Sequence, residues 1–269
     1  MPKYSLAALT VLELAPPELI DVAAACGYDH VGIRLLPAVA GGLAYPLMAD
    51  EAKLKETLAR LDATGITVAD LEVVAFRPET DVASFTAFFD TGARLGAKHM
   101  LVAGYDPDLA RFADRFAAFC AAAAPYGLTA DLEFMPWTSV PNLRTANGIV
   151  AQTGQPNAGV LVDALHFDRS NSLVGELARV PAHRLHYWQL CDGPAEKPAT
   201  KEEMMHAARH ERMFPGEGGI DLVTLVRAMP TNSPISIEVP TAELAKTMNA
   251  EARALVTARK IMAAAGVAA

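Results

Sequence analysis

Short apolar runs alternate with longer stretches of helical pattern along the whole chain, and this alternation limits the fold more than any other feature. Glycine stands shortly before several of these runs, as at Gly27, Gly65, Gly96 and Gly127. Because glycine commonly ends a helix, each run is expected to be a strand that follows a helix. Eight such units in 269 residues predict one α/β domain over residues 1–269, a (β/α)₈ barrel of the TIM type.

The predicted strands are short and mostly apolar, and they come in the following order. They cover Tyr4–Leu9, His30–Ile33, Ile66–Val74, His99–Val102, Leu128–Glu133, Gly159–Asp163, Leu185–Cys191 and Ile235–Val239. The last helix is predicted over about Ala242–Ala264. The structural alternative is a doubly wound open sheet, which normally has a glycine-rich turn after its first strand. The segment Thr10–Leu14 is not such a turn, so the barrel is favoured.

Composition excludes several classes of protein. The net charge of −8 opposes binding to a phosphate backbone, so we expect no nucleic-acid partner. The three cysteines form no CxxC pair, and this usage is typical of a reduced, cytoplasmic protein. No uncharged apolar run reaches the roughly 18 residues that a membrane helix needs, so we expect no membrane association.

Polar residues end the last four predicted strands. These are Glu133, Asp163, Gln189 and Glu238. Catalytic groups of a TIM barrel lie at the carboxyl ends of its strands, so these side chains should converge. Three carboxylates cannot all be ionised in one cavity without a counter-charge, which a divalent cation supplies. An all-oxygen set favours Mg²⁺ or Mn²⁺ over Zn²⁺ or Co²⁺.

Glu133 and Glu238 are also the predicted proton-transfer residues, because each can take a proton from a substrate held between them. His166 follows Asp163 by three residues and is predicted to contact substrate or carry a proton. His30, His99 and His186 come before or early in their strands. That position is far from the predicted mouth, so no role is assigned to them.

Four arginines are candidates for binding an anionic substrate, with ion pairing or packing as the alternative for each. They are Arg34, Arg169, Arg209 and Arg212. The glycines of Pro215–Gly219 either cradle a phosphate or only turn the chain into the next helix. Glu217, within that turn, is a further candidate site residue.

Four motifs at these strand ends resemble the xylose isomerase-like TIM-barrel superfamily. They are Asp131–Glu133, Val162–His166, Gln189–Asp192 and Ser236–Pro240. The superfamily includes sugar and sugar-phosphate isomerases and epimerases, some dehydratases, and endonuclease IV. The resemblance implies Glu, Asp, His and Glu as metal ligands, but Gln189 stands where the histidine is usual. That glutamine and the segment Arg209–Gly218 resemble 3-dehydroshikimate dehydratase-like members.

These features predict a divalent-metal-dependent isomerase or epimerase acting through an enolate on a small polyhydroxylated carbonyl compound. A lyase of the 3-dehydroshikimate dehydratase type is the alternative. An endonuclease IV-like nuclease is disfavoured because the chain lacks a histidine-rich set of strand ends and a basic surface. A non-catalytic sugar-binding barrel is the remaining hypothesis. The resemblance also implies a homodimer.

Overall fold

Eight parallel strands close into a barrel in the order of the chain, as the sequence predicts. The computed structural model describes residues 2–39 and 41–255. Each strand pairs with the next, and the first pairs with the last. The strands are β1 Tyr4–Leu6, β2 His30–Arg34, β3 Thr67–Phe76, β4 His99–Gly104, β5 Thr129–Glu133, β6 Ala158–Asp163, β7 Trp188–Leu190 and β8 Ile235–Ile237.

Helices follow the strands and cover the outside of the barrel. They are α1 Pro16–Ala25, α2 Glu51–Thr64, α3 Thr86–Arg94, α4 Leu109–Ala123, α5 Leu143–Gln152, α6 Ala164–Arg169, α7 Val174–Leu177, α8 Lys201–His210, α9 Leu222–Ala228 and α10 Ala250–Ala254. Side chains that accept the first free amides start several of them, as Asp50 does for α2 and Thr200 for α8. Among the described residues, no helix is both long enough and apolar enough to span a bilayer.

Three strands are shorter than their apolar runs because the backbone leaves the sheet early. After β1 the chain turns into a 3₁₀ helix over Ala8–Val11. After β7 the backbone of Asp192 pairs with Met213 in an isolated antiparallel bridge. After β8 the amide of Val239 donates to the Thr10 hydroxyl rather than to a neighbouring strand.

The predicted last helix is interrupted over the residues that the structure describes, where α10 covers only Ala250–Ala254. A 3₁₀ turn covers Leu244–Lys246, and α10 begins only after Asn249, whose side chain accepts from the amide of Ala252. Asn249 is a strong helix start, so it divides the segment that we predicted as continuous. Residues 256–264 of that prediction lie outside the described residues.

Aromatic packing between strand and helix builds part of the outer core. Phe76 of β3 meets Phe112, Phe116 and Phe119 of α4, and all four are fully buried. The rings of Phe76 and Phe119 are 5.3 Å apart at 89°, an edge-to-face arrangement that aromatic pairs favour. This contact fixes α4 against the barrel beneath the strands that carry the polar ends.

The inside of the barrel is unusually polar. TIM-barrel interiors are normally filled by branched apolar side chains, but here Asp70, Glu72, Asp131 and Gln189 are all fully buried. Gly32 on β2 makes room for them, since a Cβ there would lie 2.8 Å from an oxygen of Glu72. Charged groups therefore line the barrel axis and extend to both of its ends.

Removing the Phe119 ring should destabilise the protein strongly. We expect Phe119→Ala to lower the free energy of unfolding by about 3–5 kcal/mol, because it leaves a cavity in a packed core. Leu109→Ala, on the same helix, is the matched control, since Leu109 is 40% exposed. Denaturant unfolding of both variants measures the difference. Equal losses in the two variants would contradict the packing described.

Candidate metal centre

Four polar side chains converge at the carboxyl ends of consecutive strands, as the sequence predicts. Glu133 ends β5, Asp163 ends β6, Gln189 lies in β7 and Glu238 follows β8. Asp163 and Gln189 are partners in the strand register. All four are buried, and each of the three carboxylates offers an oxygen within 4.8 Å of the others. The arrangement is a compact, oxygen-rich group at the barrel mouth.

A buried guanidinium lies against this group. The Arg212 Nη1 is 2.5 Å from Asp163 Oδ2, and its Nη2 is 2.9 Å from Glu238 Oε2. Its Nε donates to the carbonyl oxygen of Ala208 at 2.8 Å, which anchors the side chain to the end of α8. Arg212 lines the cavity, where substrate contact was predicted for it, and its ion pairs also supply positive charge to the carboxylates.

This pairing divides the acidic groups into two kinds. Burial alone would raise the pKa of Asp163, but Arg212 and His166 outweigh it, and the pKa is lowered overall. Burial and the charge of Glu238 raise the pKa of Glu133 well above its usual range. Burial also raises the pKa of Glu238, to about 7, although Arg212 opposes that shift. The charge of Arg212 therefore favours the ionised form of Asp163, whereas burial favours the protonated form of Glu133. Glu238, with a pKa of about 7, can gain or lose a proton near neutrality.

The donor set fits a divalent metal ion. One guanidinium leaves the three carboxylates with an excess of two negative charges when all are ionised. The Gln189 Nε2 donates to Glu238 Oε1 at 3.0 Å, and this contact orients the amide. The Gln189 Oε1 is buried without a hydrogen-bond partner among the described residues. A buried polar atom left unpaired is costly, and a metal ion would satisfy it.

His166 lies beside the carboxylates on the first turn of α6. Asp163 caps this helix by accepting from the His166 amide at 2.9 Å, so the same residue ends the strand and positions the imidazole. The His166 Nε2 is 3.7 Å from Glu133 Oε1. Burial lowers the pKa of His166 to about 4, so the ring is neutral at neutral pH. Its Nδ1 has no hydrogen-bond partner among the described residues.

A cavity of about 300 Å³ opens at the candidate metal centre formed by Glu133, Asp163, Gln189 and Glu238. Glu133, His166 and Glu238 form its polar floor. One wall is apolar, and its lining residues are Val73, Leu101, Ala103, Tyr105, Met135 and Trp137. The Trp137 ring meets His166 edge to face at 5.1 Å, which helps hold the imidazole at the cavity floor. The cavity thus joins a charged end to an apolar face.

The four candidate arginines have different surroundings. Arg34 lines the cavity, but its Nε and Nη2 both donate to Glu72 Oε2, at 3.2 and 2.7 Å. Arg209 also lines the cavity and makes no ion pair among the described residues. Arg169 does not reach this cavity. It pairs with Asp168 at 2.5 Å and donates to the carbonyl oxygen of Pro194.

Glu72 is a buried acid, paired with the cavity residue Arg34, that the sequence reasoning missed. It accepts from the amide of Ala8 at 2.9 Å and from Arg34, so it connects the start of the chain to β3. A signal was present, since Asp70 and Glu72 share one face of an otherwise apolar run.

The glycine-rich turn over residues 215–219 is ordered by a carboxylate of the chain itself. The Asp192 side chain accepts from the amides of Gly193, Gly216, Gly218 and Ile220 at 2.8–3.1 Å. These amides are therefore used within the chain, and the phosphate-cradle interpretation is wrong for them. Glu217 in the turn is exposed and does not line the cavity.

The comparisons with known proteins agree with this geometry. The family model described as "Xylose isomerase-like TIM barrel" matches residues 20–262. The chain belongs to this family. A 3-dehydroshikimate dehydratase of Pseudomonas aeruginosa is 30% identical over 139 residues. That match takes in 49% of this chain but only 20% of the dehydratase, so the chain spans about a fifth of that enzyme.

Solved structures resemble the whole chain in fold. The IOLI protein, solved with a bound zinc atom, has a TM-score of 0.81 at 21% identity, covering 98% of this chain and 97% of its own. A D-allulose 3-epimerase from Methylomonas sp., solved with D-allulose, has a TM-score of 0.70 at 18% identity, covering 97% and 96%. At these identities the likeness shows the barrel fold alone.

Replacing Arg212 should test its role as counter-charge. We expect Arg212→Met to lower the free energy of unfolding of the metal-free protein by about 3–5 kcal/mol, because it leaves buried carboxylates uncompensated. Arg209→Met is the matched control, since Arg209 lines the same cavity without an ion pair. Denaturant unfolding compares the two. A loss in Arg212→Met no larger than in the control would contradict the assignment.

Proposed function

We propose that this protein is a divalent-metal-dependent isomerase or epimerase that acts on a small polyhydroxylated carbonyl compound. The observation that carries the proposal is the position of Glu133 and Glu238. They stand on strands three apart, both line the cavity, and the pKa of each is raised by burial. A substrate held between them meets a carboxyl group on each side.

Mg²⁺ or Mn²⁺ is the proposed ion. Glu133, Asp163, Gln189 and Glu238 would hold it through oxygen atoms, the ligands that hard cations prefer. The zinc named for the IOLI structure belongs to that protein, and the absence of nitrogen and sulfur from this donor set favours a harder ion here. When bound, the ion stabilises the negative charge that develops on a substrate carbonyl oxygen.

The two glutamates then move the proton. A carboxyl group with a pKa near the working pH serves as both base and acid, which is the condition that Glu238 meets. One glutamate removes the proton next to the carbonyl group. Return of the proton to the opposite face by the other glutamate gives an epimer. Return to the neighbouring carbon gives the isomeric aldose or ketose.

The cavity walls indicate the kind of substrate. A volume of about 300 Å³ is at the low end of ordinary ligand sites, so the substrate is small. Arg209 is the cavity arginine without an ion pair among the described residues, and it is the proposed contact for an anionic group. The Trp137 and Tyr105 rings offer an apolar face of the kind on which a sugar or carbocyclic ring packs.

Dehydration of the 3-dehydroshikimate type is the second candidate. It is favoured by the Pseudomonas aeruginosa relative and by Gln189 at the strand end. It would use the same first proton removal, followed by loss of a hydroxyl group from the next carbon. His166 is placed to carry the proton that the first step removes from the substrate, because its neutral imidazole is 3.7 Å from Glu133.

An NMR assay in D₂O separates these reactions. The protein would be incubated with Mn²⁺ or Mg²⁺ and either a panel of keto sugars or 3-dehydroshikimate. Deuterium at the carbon next to the carbonyl, with a new stereoisomer or regioisomer, supports the isomerase or epimerase. An aromatic product supports the dehydratase. Absence of both exchange and product across the panel would count against both.

Glu133→Gln should abolish exchange almost completely. We expect a fall of at least about 100-fold in the rate of deuterium incorporation, since general acid–base groups commonly contribute 10²–10⁴. Glu79→Gln is the control, because Glu79 is exposed on a loop away from the cavity. The rate is measured by ¹H NMR with the substrate found in the panel. A Glu133→Gln rate within a few-fold of the control would refute the proton-transfer role.

Removal of metal should inactivate the protein and lower its melting temperature. We expect Mn²⁺ to restore both after chelation, because binding to the folded state alone stabilises it. Asp163→Asn should bind Mn²⁺ more weakly, since it removes the most strongly ionised donor. Calorimetry and differential scanning fluorimetry measure the two effects. Unchanged Mn²⁺ affinity in Asp163→Asn would remove that residue from the ligand set.

A further inference from the structure

Two histidines and a buried aspartate lie together at the opposite end of the barrel, where the strands begin. His99 is the first residue of β4, Asp131 is the third residue of β5, and His186 stands two residues before β7. The strand register brings His99 beside Thr129 and Asp131 beside Gly159. The sequence analysis predicted no role for these histidines, because they are far from the predicted barrel mouth.

The three side chains are close enough to share one ion. Each offers a nitrogen or oxygen atom within 4.8 Å of the others. The His186 Nδ1 is 2.6 Å from Asp131 Oδ1, and the His99 Nδ1 is 3.8 Å from Asp131 Oδ2. The two imidazole rings are nearly parallel, with centroids 5.8 Å apart. A zinc ion requires ligand distances of roughly 2.0–2.2 Å, so binding would draw the three side chains around one point.

The neighbouring residues hold the group in place and leave space for it. The Thr129 hydroxyl donates to Asp131 Oδ2 at 2.6 Å and is 2.8 Å from His99 Nδ1. On the next strand, a Cβ at Gly159 would lie 2.1 Å from Asp131 Oδ1 and 2.5 Å from His186 Nδ1. Glycine is therefore required beside the cluster, and the hydroxyl acts as the outer partner that metal ligands usually have.

The group is accessible from solvent. The side chains of His99 and His186 are 14% and 16% exposed, whereas Asp131 is fully buried. Part of each imidazole therefore reaches solvent. His30 lies on the same face, but its Nδ1 contacts the Thr67 hydroxyl and it is not part of the group.

We propose that His99, Asp131 and His186 form a second metal site, which takes a transition-metal ion such as Zn²⁺. Imidazole nitrogen with one carboxylate oxygen suits Zn²⁺, whereas the all-oxygen group at the mouth suits Mg²⁺ or Mn²⁺. The ion would join the starts of β4, β5 and β7. Since this end of a TIM barrel serves stability rather than chemistry, the site is structural and independent of the proposed reaction.

The same atoms also allow a different arrangement without metal. A hydrogen-bonded chain can run from His186 to Asp131, and through the Thr129 hydroxyl to His99. Such a chain would satisfy the buried carboxylate by itself. The two arrangements differ in what they predict for zinc binding, so a titration distinguishes them.

The experiment is a Zn²⁺ titration of the chelator-treated full chain by calorimetry. We expect one Zn²⁺ per chain to bind at this site in the unmodified protein and in Glu133→Gln. His99→Gln and His186→Gln should each lose this bound ion. Their affinity should fall by at least about 10- to 100-fold, since even outer partners of a ligand are worth that much. His30→Gln is the matched control on the same face. Retained Mn²⁺ binding in the histidine variants shows that they fold and that the site at the mouth is separate.

A second measurement avoids variants. Histidine ring signals in ¹H–¹⁵N spectra of the unmodified protein should shift for His99 and His186 as Zn²⁺ is added, and not for the exposed His183. The proposal is overturned if His99→Gln and His186→Gln bind zinc as the unmodified chain does. It is equally overturned if the ring signals of both residues stay unchanged at saturating Zn²⁺. Loss of Mn²⁺ binding with zinc binding retained would contradict the metal site of the proposed function and would leave the zinc site supported.

Discussion

The burial of three carboxylates at neighbouring strand ends is the constraint on which the rest of the site depends. Glu133, Asp163 and Glu238 cannot share a dry cavity as anions unless positive charge lies among them. Arg212 supplies part of it through contacts of 2.5 and 2.9 Å, and it is anchored from behind by a backbone carbonyl. Negative charge remains on the carboxylates, and the Gln189 Oε1 has no hydrogen-bond partner among the described residues. Both features favour the binding of a divalent ion.

The barrel distributes its polar groups along the axis and gives each end a different chemistry. Three carboxylates form the candidate ligand group at the mouth, whereas two imidazoles and a carboxylate meet where the strands begin. Between them, burial and the neighbouring charge of Glu72 raise the pKa of Asp70 well above its usual range. Burial and this neighbouring charge therefore favour the protonated form of Asp70. The proposed reactive site and the proposed structural site therefore lie at opposite ends of the barrel.

Much of the site could be predicted from the sequence because strand ends are local features. An apolar run that stops at Asp163 or Glu238 shows both the strand and the position of its last side chain. The partners of Arg212 could not be predicted, since Asp163 is 49 residues away and the contact depends on how the segment after α8 folds over the mouth. Arg169 pairs with the adjacent Asp168, which is the ion pairing that the sequence had left open as the alternative to substrate contact. The histidine cluster was missed because separate strand starts show no common motif.

The central claim is that the four strand ends bind one divalent ion. Crystals soaked with Mn²⁺ and measured at the manganese absorption edge test it most directly. We expect an anomalous peak bounded by oxygen atoms of Glu133, Asp163, Gln189 and Glu238, with Arg212 still beside the carboxylates. Full Mn²⁺ occupancy elsewhere, with Arg212 alone balancing an otherwise metal-free group, would contradict it.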